Sequence, residues 1–220
     1  MKKSVFFSEW ILGGVMLLPL IYLAFIYNRL PATVPMHYDS MGTPNRYDSK
    51  ETFVTIFGIM TLFMYLLFRY IPALDPKQKL ETANYYKMRL LIAVFWAVLL
   101  IGIGYTTTQG LASDRFLSFL TALVCLMLAG VGNLMYSVRH NYFVGIRTPW
   151  TLDSEVVWRK THQRVAPIWV AVGLLGTILA FLLPTPWKSN MILIIALGLA
   201  LGSAGYSYLV FRQEKAKQTI

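Results

Sequence analysis

The sequence has little charge, one cysteine and no recognisable catalytic motif, and each shortage excludes something. Only 14% of its 220 residues are Asp, Glu, Lys or Arg, against about 25% in an ordinary soluble domain. Those charges collect between apolar runs, several of about 18 residues without a charge, which excludes a soluble core and describes a polytopic membrane protein. The single cysteine, Cys125, lies among Leu, Val and Met. It permits no intramolecular disulfide and reads as a small packing residue. There is no HExxH, no GxSxG and no nucleotide-binding glycine loop, so the common hydrolase and nucleotide chemistries have no motif to stand on. No Asp, Glu, Lys, Arg or His falls inside an apolar run away from its ends. An ion- or proton-coupled pump ordinarily places such a group at membrane depth.

What is present is apolar: 56% of the residues are hydrophobic and the mean hydropathy is +0.54. Six spans are expected, at about 10–27, 53–68, 90–107, 116–138, 165–183 and 191–211, each long enough to cross a bilayer. The fold class is therefore an all-α integral membrane protein. The N-terminal Met-Lys-Lys followed by an apolar run has the outline of a signal peptide. The run is long for one, and no small-residue cleavage site follows it, so it is read as a retained first span. The formal net charge of +10 needs no nucleic acid to explain it. Of the lysines and arginines, 15 fall on the side shared by the termini and the second and fourth loops, and 5 on the other. The positive-inside tendency then puts both termini in the cytoplasm.

The chain divides into two three-span halves, 1–114 and 115–220. Each carries one substantial polar loop, 28–51 facing outward and 132–163 facing the cytoplasm. The first is stiffened by Pro31, Pro35 and Pro44, with Gly42 free to take a positive φ. Ser49 or Thr52 is placed to cap the second span. His37 and Asp39 alternate along an extended segment and point the same way. They either brace the loop or offer part of a divalent-metal site, although structural zinc wants four ligands and the loop has too few. The five-residue spacing of His37 and Gly42 recurs in His140 and Gly145, with Pro44 and Pro149 following shortly after each, at equivalent places in the two halves, which suggests an inverted 3+3 repeat.

In the second loop Gly130 and Gly132 allow close helix approach, and Asn133 wants an interhelical hydrogen bond. Thr151 or Asp153 is placed to cap a helix starting near Ser154, with Glu155 and Arg159 spaced to pair. Val157, Trp158, Thr161 and Val165 share one face, so that helix is expected along the membrane surface, with Trp150 and Trp158 at the interface. Arg147 either ties the loop to the spans or contacts a lipid, ligand or partner.

Two motif regions carry a family resemblance. Pro35-x-His37-Tyr38-Asp39-x-x-Gly42-x-Pro44-Asn45, followed by Tyr47-x-Ser49-Lys50, resembles a bacterial membrane domain of unknown function often found at the N-terminus of SdpI-family proteins. Gly132-Asn133-Leu134-Met135, Asn141, Phe143-x-Gly145-Ile146-Arg147-Thr148-Pro149-Trp150-Thr151-Leu152 and Trp158-x-Lys160-Thr161-His162 resemble the SdpI family itself. The resemblance implies a multi-pass protein of the bacterial plasma membrane that confers immunity to, or senses, a membrane-active peptide toxin on the outer face. It also implies a relay to a cytoplasmic transcriptional regulator, with no direct nucleic-acid contact. The candidate ligand or partner residues are His37, Asp39, Asn45, Asn133, Asn141, Gly145, Arg147, Thr148, Pro149, Trp150, Trp158 and His162. No catalytic residue, resident metal or cofactor is expected. The alternatives are a small transporter or lipid-handling protein, and a membrane enzyme with a metal or acid–base site at the outer loop.

Overall fold

A computed structural model describes residues 2–39, 41–74, 83–110 and 113–218. Lys77 and Lys79, which enter the charge count above, lie outside the described residues. Six helices are long and apolar enough to span a membrane: α1 (Lys2–Ile26), α2 (Lys50–Tyr70), α3 (Ala83–Gln109), α4 (Ser113–Met135), α6 (Glu155–Leu182) and α7 (Thr185–Gln218). All six expected spans are present. Between α4 and α6 lies the short α5 (Pro149–Asp153). The loop after α1 adds a strand pair to the helical frame, β1 (Thr33–Tyr38) and β2 (Pro44–Ser49), antiparallel with Thr33 opposite Ser49 and irregular between Pro35 and Tyr38.

Local chemistry sets the boundaries. Ser49 has extended backbone and its hydroxyl accepts from Thr52 N–H, so it caps α2. Gly42, with φ 74, turns the hairpin. The expected surface helix before the fifth span is absent. Ser154, rather than Thr151 or Asp153, caps a single helix that runs unbroken from Glu155 to Leu182. Val157, Trp158, Thr161 and Val165 do share a face, but that face is buried against protein.

Contacts at the helix ends show which ends lie together. Glu9 at the start of α1 meets Arg69 at the end of α2 and Arg89 at the start of α3. Asn84 in α3 reaches Ser137 just past α4, and Lys160 in α6 pairs with Glu214 in α7. These ends, the start of α1 and the end of α7 form one face of the bundle, with α5. The hairpin lies on the other, where Tyr38 stacks on Phe116 of α4 at 4.4 Å and Lys188 of α7 pairs with Asp114 of α4 at 2.6 Å.

Packing is uneven around the bundle. The tightest pair is α4 with α6, where a Cβ on Gly173 would lie 2.6 Å from Ala129 N and one on Gly132 would lie 2.9 Å from Val170 N. Glycine there lets the two backbones meet, which is how helices associate where lipid removes the hydrophobic incentive. In the first half α1 packs instead on α3, around Leu12, Met16, Ala93, Trp96 and Leu100. The strongest pairing therefore joins different span positions in the two halves. α2 is the loosest span, with only 6% of its apolar window buried. It is held by Trp96 Nε1–H to Thr61 Oγ1 at 2.8 Å, Tyr85 O–H to the Phe68 carbonyl at 2.6 Å and the Glu9–Arg69 pair at 3.6 Å.

Candidate functional site

Residues 136–154 form a folded cap on the α4–α6–α7 face, and each motif side chain has a definable task in it. Asn141 is 1% exposed. Its carbonyl oxygen accepts from Phe143 N–H at 2.8 Å and Val144 N–H at 2.7 Å. Its amide donates to the carbonyls of Arg139 at 2.7 Å and Val144 at 3.0 Å. One side chain thus replaces the secondary structure this turn lacks. His162, also 1% exposed, accepts the Ile146 N–H at Nε2, 2.9 Å away. A backbone N–H only donates, so Nε2 carries a lone pair, and Nδ1–H donates to the Trp158 carbonyl at 2.8 Å. The ring is a neutral brace with both nitrogens engaged.

Gly145 lies against that ring at φ +120. A Cβ there would lie 2.5 Å from His162 Nε2 and 3.0 Å from the Trp158 ring, so the glycine answers both a conformational and a steric demand. Thr148 and Thr151 form a reciprocal capping box around α5 with Pro149 at its start. Thr151 Oγ1 also donates to the Ile146 carbonyl at 2.8 Å. Trp150 Nε1–H donates to Ser207 Oγ on α7 at 2.6 Å, and Trp158 Nε1–H donates to the Val138 carbonyl at 3.0 Å. Trp158 is therefore not at the interface but buried, 2% exposed, and stacked on His162 at 4.2 Å.

Arg147 differs from its neighbours. It is exposed, and one guanidinium N–H donates to the Tyr142 carbonyl at 3.1 Å. It is an exposed cation on a cap braced by its neighbours. Asn133 is exposed on α4 and makes none of the described side-chain hydrogen bonds, so the expected interhelical bond is not formed.

On the opposite face, the hairpin holds His37 and Asp39 in separate tasks. His37 Nδ1 lies 2.6 Å from Asn45 Oδ1, which accepts its proton across the strand pair. Asp39 lies beyond β1, where one carboxylate oxygen accepts from Met41 N–H at 2.8 Å and Thr43 N–H at 2.9 Å. The alternation that would aim both residues one way ends at Tyr38. Among the described residues no group of three or more His, Cys, Asp or Glu could hold a metal ion. Tyr38 is pushed up from its ordinary phenol pKa by burial beside Phe116.

Residues 137–208, which contain the whole cap from Val138 onward, match the model of the SdpI/YfhL protein family. The chain is SdpI-like. Residues 14–64, spanning the hairpin and its flanking helices, match a domain of unknown function, DUF1648. The chain is 28% identical over 188 residues, 83% of this chain and 86% of that protein, to "Immunity protein SdpI" of Bacillus subtilis (strain 168). No solved structure matches the chain. With its six spanning helices, this SdpI-like chain is a multi-pass protein of the bacterial plasma membrane.

The SdpI-like cap brings together Asn141, Gly145, Arg147, Thr148, Pro149, Trp150, Trp158 and His162. His37, Asp39 and Asn45 lie at the other end of the bundle, and Asn133 stands apart on α4. Sequence reading missed Ser207, which is fully buried and anchors Trp150 and Thr148 to α7. Its signal was Ser203 four residues earlier, which takes Trp169 Nε1–H at 3.0 Å in the same manner. The bidentate Glu9–Arg89 pair was also missed, as was Lys188, which is 3% exposed between Asp114 and Ser118. Glu155 approaches His140 at 3.8 Å.

Proposed function

We propose that the chain confers immunity on the membrane it occupies against a membrane-active peptide toxin. The hairpin face is outside and the Arg147 cap is in the cytoplasm. The observation that carries this reading is the similarity to an immunity protein across both halves, 83% of the chain. The charge asymmetry of 15 against 5 supports the orientation. The hairpin is then the structured surface a toxin meets first. The cap is the surface a cytoplasmic regulator would read, with Arg147 as the presented donor group. Transport and enzymatic readings have less support, because His37 is engaged by the Asn45 side chain and Asp39 and His162 are engaged in bracing backbone.

The test of immunity is survival of a sensitive strain expressing the chain when challenged with membrane-active peptides. Full sensitivity to every peptide tried would refute the reading. The orientation is tested separately, in a Cys125→Ser background, with an impermeant thiol reagent. Arg46→Cys on the hairpin is expected to label in intact cells, and Arg164→Cys only after permeabilisation. The reverse pattern would overturn the orientation.

A further inference from the structure

Beside the cap lies a groove of about 550 Å³, between residues 136–140 and the first turns of α6. Its inner wall is buried: Trp158, His162 and His140 are 2%, 1% and 7% exposed. Its rim is basic, lined by the exposed residues Arg139, from the loop after α4, and Arg159, from α6. Neither arginine enters an ion pair among the described residues. The one carboxylate in the lining, Glu155, approaches the His140 ring. Two apolar side chains, Tyr136 at 55% and Val156 at 40% exposed, complete the rim. The groove lies where α4 ends and α6 begins, which is headgroup depth for helices of this length.

Two exposed guanidinium groups over a buried floor, next to exposed Tyr136 and Val156 at that depth, match a ligand with a phosphate at one end and hydrocarbon at the other. We infer that this groove binds the headgroup of an anionic phospholipid from the leaflet on the cap side. Arg139 and Arg159 take the phosphate, and Tyr136 and Val156 take the start of an acyl chain. The site is distinct from Arg147, and it uses side chains that the cap does not need for its own folding. A lipid held there would fasten the loop after α4 to the start of α6.

The experiment is native mass spectrometry of the full chain in detergent, titrated with phosphatidylglycerol or phosphatidylcholine, with glycerol phosphate as a soluble competitor. Wild type is expected to retain phosphatidylglycerol selectively. Arg139→Gln and Arg159→Gln are each expected to weaken retention about fivefold, and together about 25-fold. Arg159→Lys is expected to keep most of the retention, and Lys217→Gln to leave it unchanged. Thermal melts without added lipid should be alike for all variants, which separates lost binding from lost folding. Equal retention by the double variant and wild type would overturn the inference. So would displacement of the lipid by an equal concentration of glycerol phosphate, which would mark a soluble-anion site, or loss of retention accompanied by an altered melt in the double variant.

Discussion

At the residue scale, the cap separates side chains that hold backbone from the one that is displayed. Asn141 satisfies four backbone groups from a buried position. Removing it leaves those groups in a cap with no ladder to absorb them, each orphaned group costing about 1–3 kcal/mol before water relieves some. Asn141→Ala is therefore expected to destabilise the folded chain by about 2–4 kcal/mol, read from denaturation midpoints in detergent. Arg147 makes one bond to an exposed carbonyl, so Arg147→Ala should stay within about 0.5 kcal/mol of wild type. Equal destabilisation by both would mean that Arg147 is another brace. Asn141 and His162 stood out in the sequence as polar residues in an apolar chain. Their tasks did not, because their partners are backbone groups brought within reach only by the turn at Gly145 and the position of α6. The Glu9–Arg89 pair was hidden for a related reason: its members are 80 residues apart.

At the element scale, the spans were legible because an apolar run is a property of the chain alone. The surface helix was misread because helical periodicity says which residues share a face and not what that face meets. Val157, Trp158, Thr161 and Val165 carry the same pattern whether they lie on lipid headgroups or, as here, against protein. Glycine roles are likewise decided by neighbours. Gly173 sits where a Cβ would strike the backbone of α4, while nothing lies within 4 Å of a Cβ on Gly202 in α7. Gly173→Val is expected to lower stability by about 1–3 kcal/mol through overpacking, and Gly202→Val to have little effect. A detergent melt of the two variants checks this, and equal effects would contradict the close α4–α6 packing.

At the scale of the whole molecule, the polar chemistry is divided between two faces of a bundle whose middle is apolar. On one face, prolines, Gly42 and the His37–Asn45 bond shape a hairpin around Val34, which is 0% exposed and packed with Leu23, Ile26, Leu30 and Phe53. On the other, α5 and its threonines present Arg147 and leave the arginine-rimmed groove open beside it. α2 runs between the two faces and has the smallest buried share of the six spans.

We propose that the chain confers immunity and that Arg147, displayed on the cap, is required for it. The most direct measurement is survival of a peptide-sensitive strain carrying wild type, Arg147→Ala or no insert, at matched membrane levels of the two proteins. Wild type is expected to protect, and Arg147→Ala to lose protection despite normal insertion and an unchanged melt. Full protection by Arg147→Ala would contradict it.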